Sequence, residues 1–246
     1  MSASGGPVPA QRIADVAAAA RILAARGVVD GFGHVSMRHP DAPQRYLMSR
    51  ALAPALVTPD DIVEYDLDSE ACDPDAPKGF LERFIHGQIY AARPDIGAVV
   101  HSHSPSVIPF GLTKAPMQAC FHNAAFLAQG VPVFDIAKDH GATDMLVSDN
   151  DKGVALAECL ADKPVALMRA HGSVACGPSL EVAVVRAVYT EVSARVQHWA
   201  LALAEDGEEL AALSEEEGRL ADIPNQTAGM RAWDLWRAEI RDQAGW

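Results

Sequence analysis

The sequence predicts a single layered α/β domain. Short apolar runs at 96–100, 131–136 and 165–168 read as buried strands, and segments of helical periodicity separate them. With 246 residues and 49% hydrophobic content, the chain is long enough for one large core. No internal repeat or long linker divides it.

The elements follow in order. Residues 1–10 are small and rich in Gly and Pro, with no basic or apolar leader pattern, and are expected to form a loose tail. Ile13, Val16, Ala17, Ala20, Leu23 and Ala24 recur at helical spacing over 11–25, and Gly27 closes that helix. Gly31-Phe32-Gly33 marks a tight turn. Val35 and Met37, then Tyr46 and Met48, give two short strands around a proline-containing loop. Residues 66–78 are acidic, hold two prolines and read as surface loop. Leu81, Phe84, Ile85, Ile89 and Ala92 line one side of a helix over 79–93, which Pro94 ends. Asp149 or Asn150 caps a helix through Leu160. A strand at 173–176 pairs with 165–168 across His171-Gly172, and Ser179 caps a long helix reaching Leu203. Residues 206–246 form a helical extension carrying Trp233 and Trp236 one turn apart. Core packing is the preferred role for that pair over closure on an aromatic substrate.

Composition narrows the partners. The net charge of −13 repels phosphate backbones, so nucleic acid is not expected to bind. No run of 18 uncharged apolar residues exists, so neither a transmembrane helix nor a membrane partner is expected. The four cysteines are widely spaced without C-x-x-C, which fits reduced thiols in a cytoplasmic protein.

The chemistry concentrates in histidines. His101 and His103 follow an apolar strand, and residues two apart on a strand point to one face, about 7 Å apart at Cα. Two imidazoles so placed converge on one cation, although solvated loop histidines are the bland alternative. His171 follows a second apolar strand, and three histidine ligands leave a metal position open for substrate. Glu82, one turn before His86 on the expected helix, is the best carboxylate. From spacing alone it reads as a solvated helix residue.

Several motifs resemble the class II aldolase/adducin family. They are Glu82-Arg83-Phe84, Tyr90-x-x-Arg93-Pro94-Asp95, Ala98-Val99-Val100-His101-x-His103, Ala170-His171-Gly172 and Gly33-His34-Val35-Ser36-x-Arg38, in family order over 12–203. The resemblance implies three layers, α/β/α, around a nine-stranded mixed and mostly antiparallel sheet. It implies a homotetramer with active sites between subunits. It implies one divalent metal ion (zinc, manganese, iron or cobalt) held by His101, His103 and His171, with Glu82 as acid/base and fourth ligand.

The chain departs from the family's sugar-phosphate aldolases. Where they hold phosphate with small donors, it has His34, Met48-Ser49-Arg50 and Phe80-Leu81. The stretch 31–40, Phe84-Ile-His86-Gly and His122-Asn-Ala-Ala-Phe resemble the decarboxylase branch of aromatic compound degradation. That branch acts on dihydroxyphthalate-like rings and carboxylated muconic semialdehydes. The expected function is therefore a carbon–carbon lyase decarboxylating a small carboxylic acid of enol or catechol type. His34, Ser49 and Arg50 are expected to hold the substrate, with Arg50 pairing a carboxylate, and His122 is expected beside Glu82 in catalysis. The alternatives are an aldolase or epimerase on a small hydroxy-carbonyl substrate, and an adducin-like oligomerisation module. Adducin-type domains lose the ligand histidines that this chain keeps.

Overall fold

A computed structural model describes residues 4–205 and 207–244. Residues 1–3 of the expected tail, and 206, 245 and 246 of the expected extension, lie outside the described residues. Seven strands form one sheet: β1 (His34–Arg38), β2 (Arg45–Ser49), β3 (Ile62–Asp66), β4 (Ala98–Ser102), β5 (Val133–Phe134), β6 (Val165–Met168) and β7 (Gly172–Gly177). Their order is β3-β2-β1-β4-β7-β6-β5, antiparallel throughout except for β5 with β6. The mixed, mostly antiparallel sheet matches the expected architecture, with seven strands among the described residues where nine were implied.

The helices are α1 (Ala10–Ala25), α2 (Phe84–Ala92), α3 (Ile136–His140), α4 (Asn150–Leu160), α5 (Leu180–Leu203), α6 (Glu215–Ala228) and α7 (Met230–Ala244). Strand alternation assigns them to two layers. Val35, Val100, Leu167 and Ala175 pack with Ile22 and Leu23 of α1, Val184 of α5 and Trp233 and Trp236 of α7. Val99, Ala166, Val174 and Cys176 pack on the other face with Ile85, Ile89 and Tyr90 of α2 and Leu156 of α4. Each large buried side chain contributes about 1.5–3 kcal/mol. A one-residue slip of β4 would exchange its two faces, so this burial also fixes which face His101 occupies.

Three segments differ from the sequence reading. The helix expected over 79–93 begins only at Phe84, and 81–83 form a turn in which the Ile85 N–H donates to the Glu82 carbonyl at 3.1 Å. β3 was not foreseen; only Val63 and Tyr65 of its five residues point inward, too short a pattern to stand out beside acidic neighbours. The strand expected at 131–136 shrinks to Val133–Phe134, because Asp135 caps α3 by accepting from the Ala137 N–H. Residues 4–9 carry no regular structure, but Ser4 and Gly5 donate to the Glu64 carboxylate.

The β2–β3 connection is tied by Asp61. Its Oδ2 accepts from the Thr58 N–H at 2.9 Å and hydroxyl at 2.8 Å, and its Oδ1 accepts from Arg50 Nε at 2.7 Å. Burial alone would raise the Asp61 pKa, but the Thr58 and Arg50 hydrogen bonds outweigh it and hold the carboxyl below its ordinary value. With the folded pKa below the unfolded one, the stabilisation is present above the unfolded value and is lost as pH falls through the folded value. Replacing Asp61 with Asn is expected to cost about 1–2 kcal/mol near neutral pH. Urea unfolding repeated in acid, below both pKa values, should find D61N and wild type nearly equal.

Candidate metal centre

Four side chains from three places in the chain converge. His101 lies on the α2 face of β4, and His103 follows just past the strand end. The β6–β7 turn supplies His171, and the turn before α2 supplies Glu82. Their ligand atoms lie within 4.8 Å of one another. The register Ser102↔Ser173 sets the β6–β7 turn beside the end of β4. Gly172 permits this approach, since a Cβ there would come 2.0 Å from the Ser102 carbonyl oxygen.

Proton placement shows what the cluster is built for. His101 Nδ1 lies 3.1 Å from the Ser173 carbonyl oxygen, and His171 Nδ1 lies 3.0 Å from that of Met145. A carbonyl only accepts, so both rings carry their proton on Nδ1 and turn the Nε2 lone pair inward. Met145 takes a left-handed φ of 70° to aim its carbonyl. His103 Nε2 lies 3.1 Å from His101 Nε2 and 3.0 Å from His171 Nε2. Glu82 Oε2 stands 3.6 Å and 3.3 Å from the same two nitrogens. Converging lone pairs repel unless a cation lies among them. Metal–nitrogen bonds of about 2.0–2.1 Å in a tetrahedral site put two nitrogens roughly 3.3 Å apart, close to this spacing. Three imidazoles and a carboxylate suit zinc, manganese, iron or cobalt.

The local electrostatics agree. Burial works to raise the Glu82 pKa, but the closeness of His101 and His171 outweighs it and keeps the carboxyl far below its usual range. Burial works to lower His171, but Glu82 prevails and raises it. His103 falls to about 4, through burial and then the neighbouring His101 and His171. Glu82 Oε1 accepts from the Val147 N–H at 3.0 Å, which fixes the rotamer that presents Oε2 to the histidines.

A cavity of about 530 Å³ opens over this cluster. Glu82, His101 and His103 line it, with Phe32, His34, Phe80, Leu81 and Leu146 around them. His34, expected to hold substrate, lines this cavity with its ring 4.7 Å from Phe80 and 5.0 Å from His101 between centroids. Three expected members stand elsewhere. Ser49 is buried within β2, and Arg50 turns its Nε onto Asp61, so neither lines the cavity. His122 lines a separate cavity of about 330 Å³ with Tyr189 and Asn225, because its 3-10 segment packs against α6 rather than α2. The cation that the sequence reading missed is Lys78, the one Lys or Arg lining the larger cavity among the described residues. It sits in the acidic loop that composition marked only as surface.

The class II aldolase and adducin N-terminal domain matches residues 14–198. The chain belongs to the class II aldolase/adducin family. Decarboxylase tropJ of Talaromyces stipitatus is 37% identical over 239 residues, covering 89% of this chain and 90% of that protein. The 3,4-dihydroxyphthalate decarboxylase of Arthrobacter keyseri is 30% identical over 247 residues, covering 94% of each. An aldolase II superfamily protein from Pseudomonas syringae shares the fold, with a TM-score of 0.79 at 22% identity over 97% of this chain and 95% of that one. With family relatives named as decarboxylases, the chain is a lyase of this family. No helix among the described residues is long and apolar enough to cross a membrane.

Protein purified without chelator is expected to carry about one equivalent of divalent metal per chain, measured by elemental analysis. Replacing His103 or His171 with Ala should reduce this to below roughly a tenth of an equivalent, since removing one of three imidazoles leaves too few donors.

Proposed function

We propose that the chain is a metal-dependent decarboxylase acting on a small carboxylic acid with a neighbouring enol or phenol oxygen. The observation that carries this reading is the cavity wall. Phe32, Phe80, Leu81 and Leu146 make it apolar, and Lys78 is its one Lys or Arg among the described residues. A phosphate dianion needs several fixed donors, whereas a planar acid needs apolar walls and one cation for its carboxylate. The volume of about 530 Å³ suits one substituted ring. Two decarboxylase relatives spanning most of the chain support the same choice.

Losing carbon dioxide leaves an electron pair that must rest on the neighbouring oxygen. A divalent cation, were it held by His101, His103 and His171 with the Glu82 carboxylate beside them, would supply Lewis-acid stabilisation of that charge. Glu82, kept ionised by its histidine neighbours, accepts the proton of the substrate's ortho hydroxyl at Oε2. The oxygen's electron pair makes the carboxylated carbon basic, and that carbon takes the proton back from Glu82. Carbon dioxide then leaves, and the pair from the broken C–C bond returns to the oxygen. Water reprotonates the oxygen as product departs. Lys78 anchors a second substrate carboxylate at the cavity mouth, and Phe80 and Leu81 keep water from the reacting carbon.

An aldolase on the same metal centre is the second reading, supported by the shared fold. The homotetramer implied by the resemblance also belongs to this proposal, and light scattering should return about four chain masses.

The deciding assay follows carbon dioxide and ultraviolet absorbance with dihydroxybenzene dicarboxylates and carboxylated muconic semialdehydes. Triose phosphate formation from sugar phosphates is measured in parallel. Carbon dioxide release without sugar-phosphate cleavage is expected, and the reverse would promote the aldolase. E82Q should lower turnover ~10²–10⁴-fold with metal retained. K78M should raise KM roughly 10–100-fold with kcat little changed, as expected for loss of a uniform anchor.

A further inference from the structure

Beside the candidate ligands lies a buried polar chain that the mechanism above leaves unused. Tyr90 OH lies 2.7 Å from Ser36 Oγ, Ser36 Oγ lies 2.6 Å from His86 Nδ1, and His86 Nε2 lies 2.7 Å from His34 Nδ1. Tyr90, Ser36 and His86 are at most 1% exposed, so bulk water does not reach them. Among the described residues His34 Nε2 has no hydrogen-bond partner, and the ring lines the cavity.

Counting protons along this chain gives it one direction. The buried Tyr90 phenol has one proton, and Ser36 Oγ is the only acceptor within hydrogen-bond reach among the described residues. Ser36 is thus the acceptor there, and its own proton goes to its remaining partner, His86 Nδ1. His86 then carries its proton on Nε2 and donates it to His34 Nδ1. Only one proton fits between nitrogens 2.7 Å apart, so His34 Nδ1 accepts and Nε2 carries the hydrogen. The opposite direction would strand the Tyr90 proton in the core without an acceptor.

Packing holds the rings in place. The Tyr46 ring stacks on His86 at 6.3 Å and 16° between planes, and the Arg38 guanidinium lies 4.6 Å from the Tyr90 ring centroid. Burial lowers the His86 pKa to about 3, which keeps the middle of the chain neutral.

We propose that Tyr90, Ser36 and His86 form a one-way hydrogen-bond relay that locks His34 as its Nε2–H tautomer, a fixed donor to a substrate oxygen. His34 then discriminates for substrates with a carboxylate, phenolate or carbonyl oxygen on that side of the metal centre. Tyr90, Ser36 and His86 are positioning residues that act through His34. The donor role rests on the cavity being the substrate site, whereas the tautomer does not.

The test reads the tautomer without turnover. The full chain with 15N-labelled histidine, and zinc added as a diamagnetic ion, is examined by long-range 15N–1H correlation. The His34 Nδ1 and His86 Nδ1 resonances are expected in the unprotonated range, and both Nε2 resonances in the protonated range. A protonated Nδ1 on His34 would overturn the relay. Y90F removes the proton that sets the direction and should add a population of the other His34 tautomer; an unchanged spectrum would overturn the part given to Tyr90. A kinetic arm uses whichever substrate the enzyme turns over. H34Q places an amide near the Nε2 position and should keep activity within about tenfold, whereas H34N reaches only the Nδ1 position and should lose roughly 10²–10³-fold. Metal content in both variants shows that the centre is intact. Equal losses in H34Q and H34N, with metal retained, would overturn the donor role while leaving the decarboxylase reading untouched.

Discussion

Imidazole nitrogens facing one another with their protons turned away are the constraint on which this structure depends. His101 and His171 each give the Nδ1 hydrogen to a backbone carbonyl, so their Nε2 lone pairs meet His103 at the centre of the cluster. Such an arrangement is favourable only around a positive charge, and Glu82 adds a carboxylate to the same point. The backbone around it serves this end. The β4–β7 register, the bare Cα of Gly172 and the left-handed Met145 each hold one ring or its partner carbonyl in place. Preorganisation of this kind would let a metal bind without repacking the surrounding core.

The α2 face of the sheet carries nearly all of the polar machinery. β1 supplies His34 and Ser36, β4 supplies His101, and α2 supplies His86 and Tyr90. The turn leading into α2 adds Glu82. Antiparallel pairing sets His34 opposite His101, so a single register joins the candidate metal centre to the proposed relay. The opposite face is packed mainly with apolar side chains, the α7 tryptophans among them, and its buried Arg186–Asp222 pair joins α5 to α6 away from the cavity. Chemistry and stability are thus divided between the two faces of one sheet.

Particular residues show where sequence reasoning ran out. His101, His103 and His171 were legible because each follows an apolar run, and a strand's period of two fixes their faces. Glu82 was placed one element off: apolar spacing extended its helix back to Gly79, while the structure starts the helix at Phe84 and keeps Glu82 in a turn. Arg50 looked free because nothing in the sequence shows that Asp61 folds back onto it. Lys78 was passed over because its neighbours mark a solvated loop, and only the loop's path brings it to the cavity wall. His86, Ser36 and Tyr90 carry a faint signal in the i, i+4 spacing of His86 and Tyr90, but their partner Ser36 lies on a distant strand.

The sequence by itself determined the layered α/β architecture, the family and the three histidines, because hydrophobic periodicity and short motifs are local properties written residue by residue. Only the tertiary structure decided which cation faces the cavity, that His122 stands apart from Glu82, and which way the buried protons point. Each of those depends on pairs separated by tens of residues, such as His34 with His86 and His122 with Asn225. Their meeting is set by strand order and loop path, which no local pattern encodes.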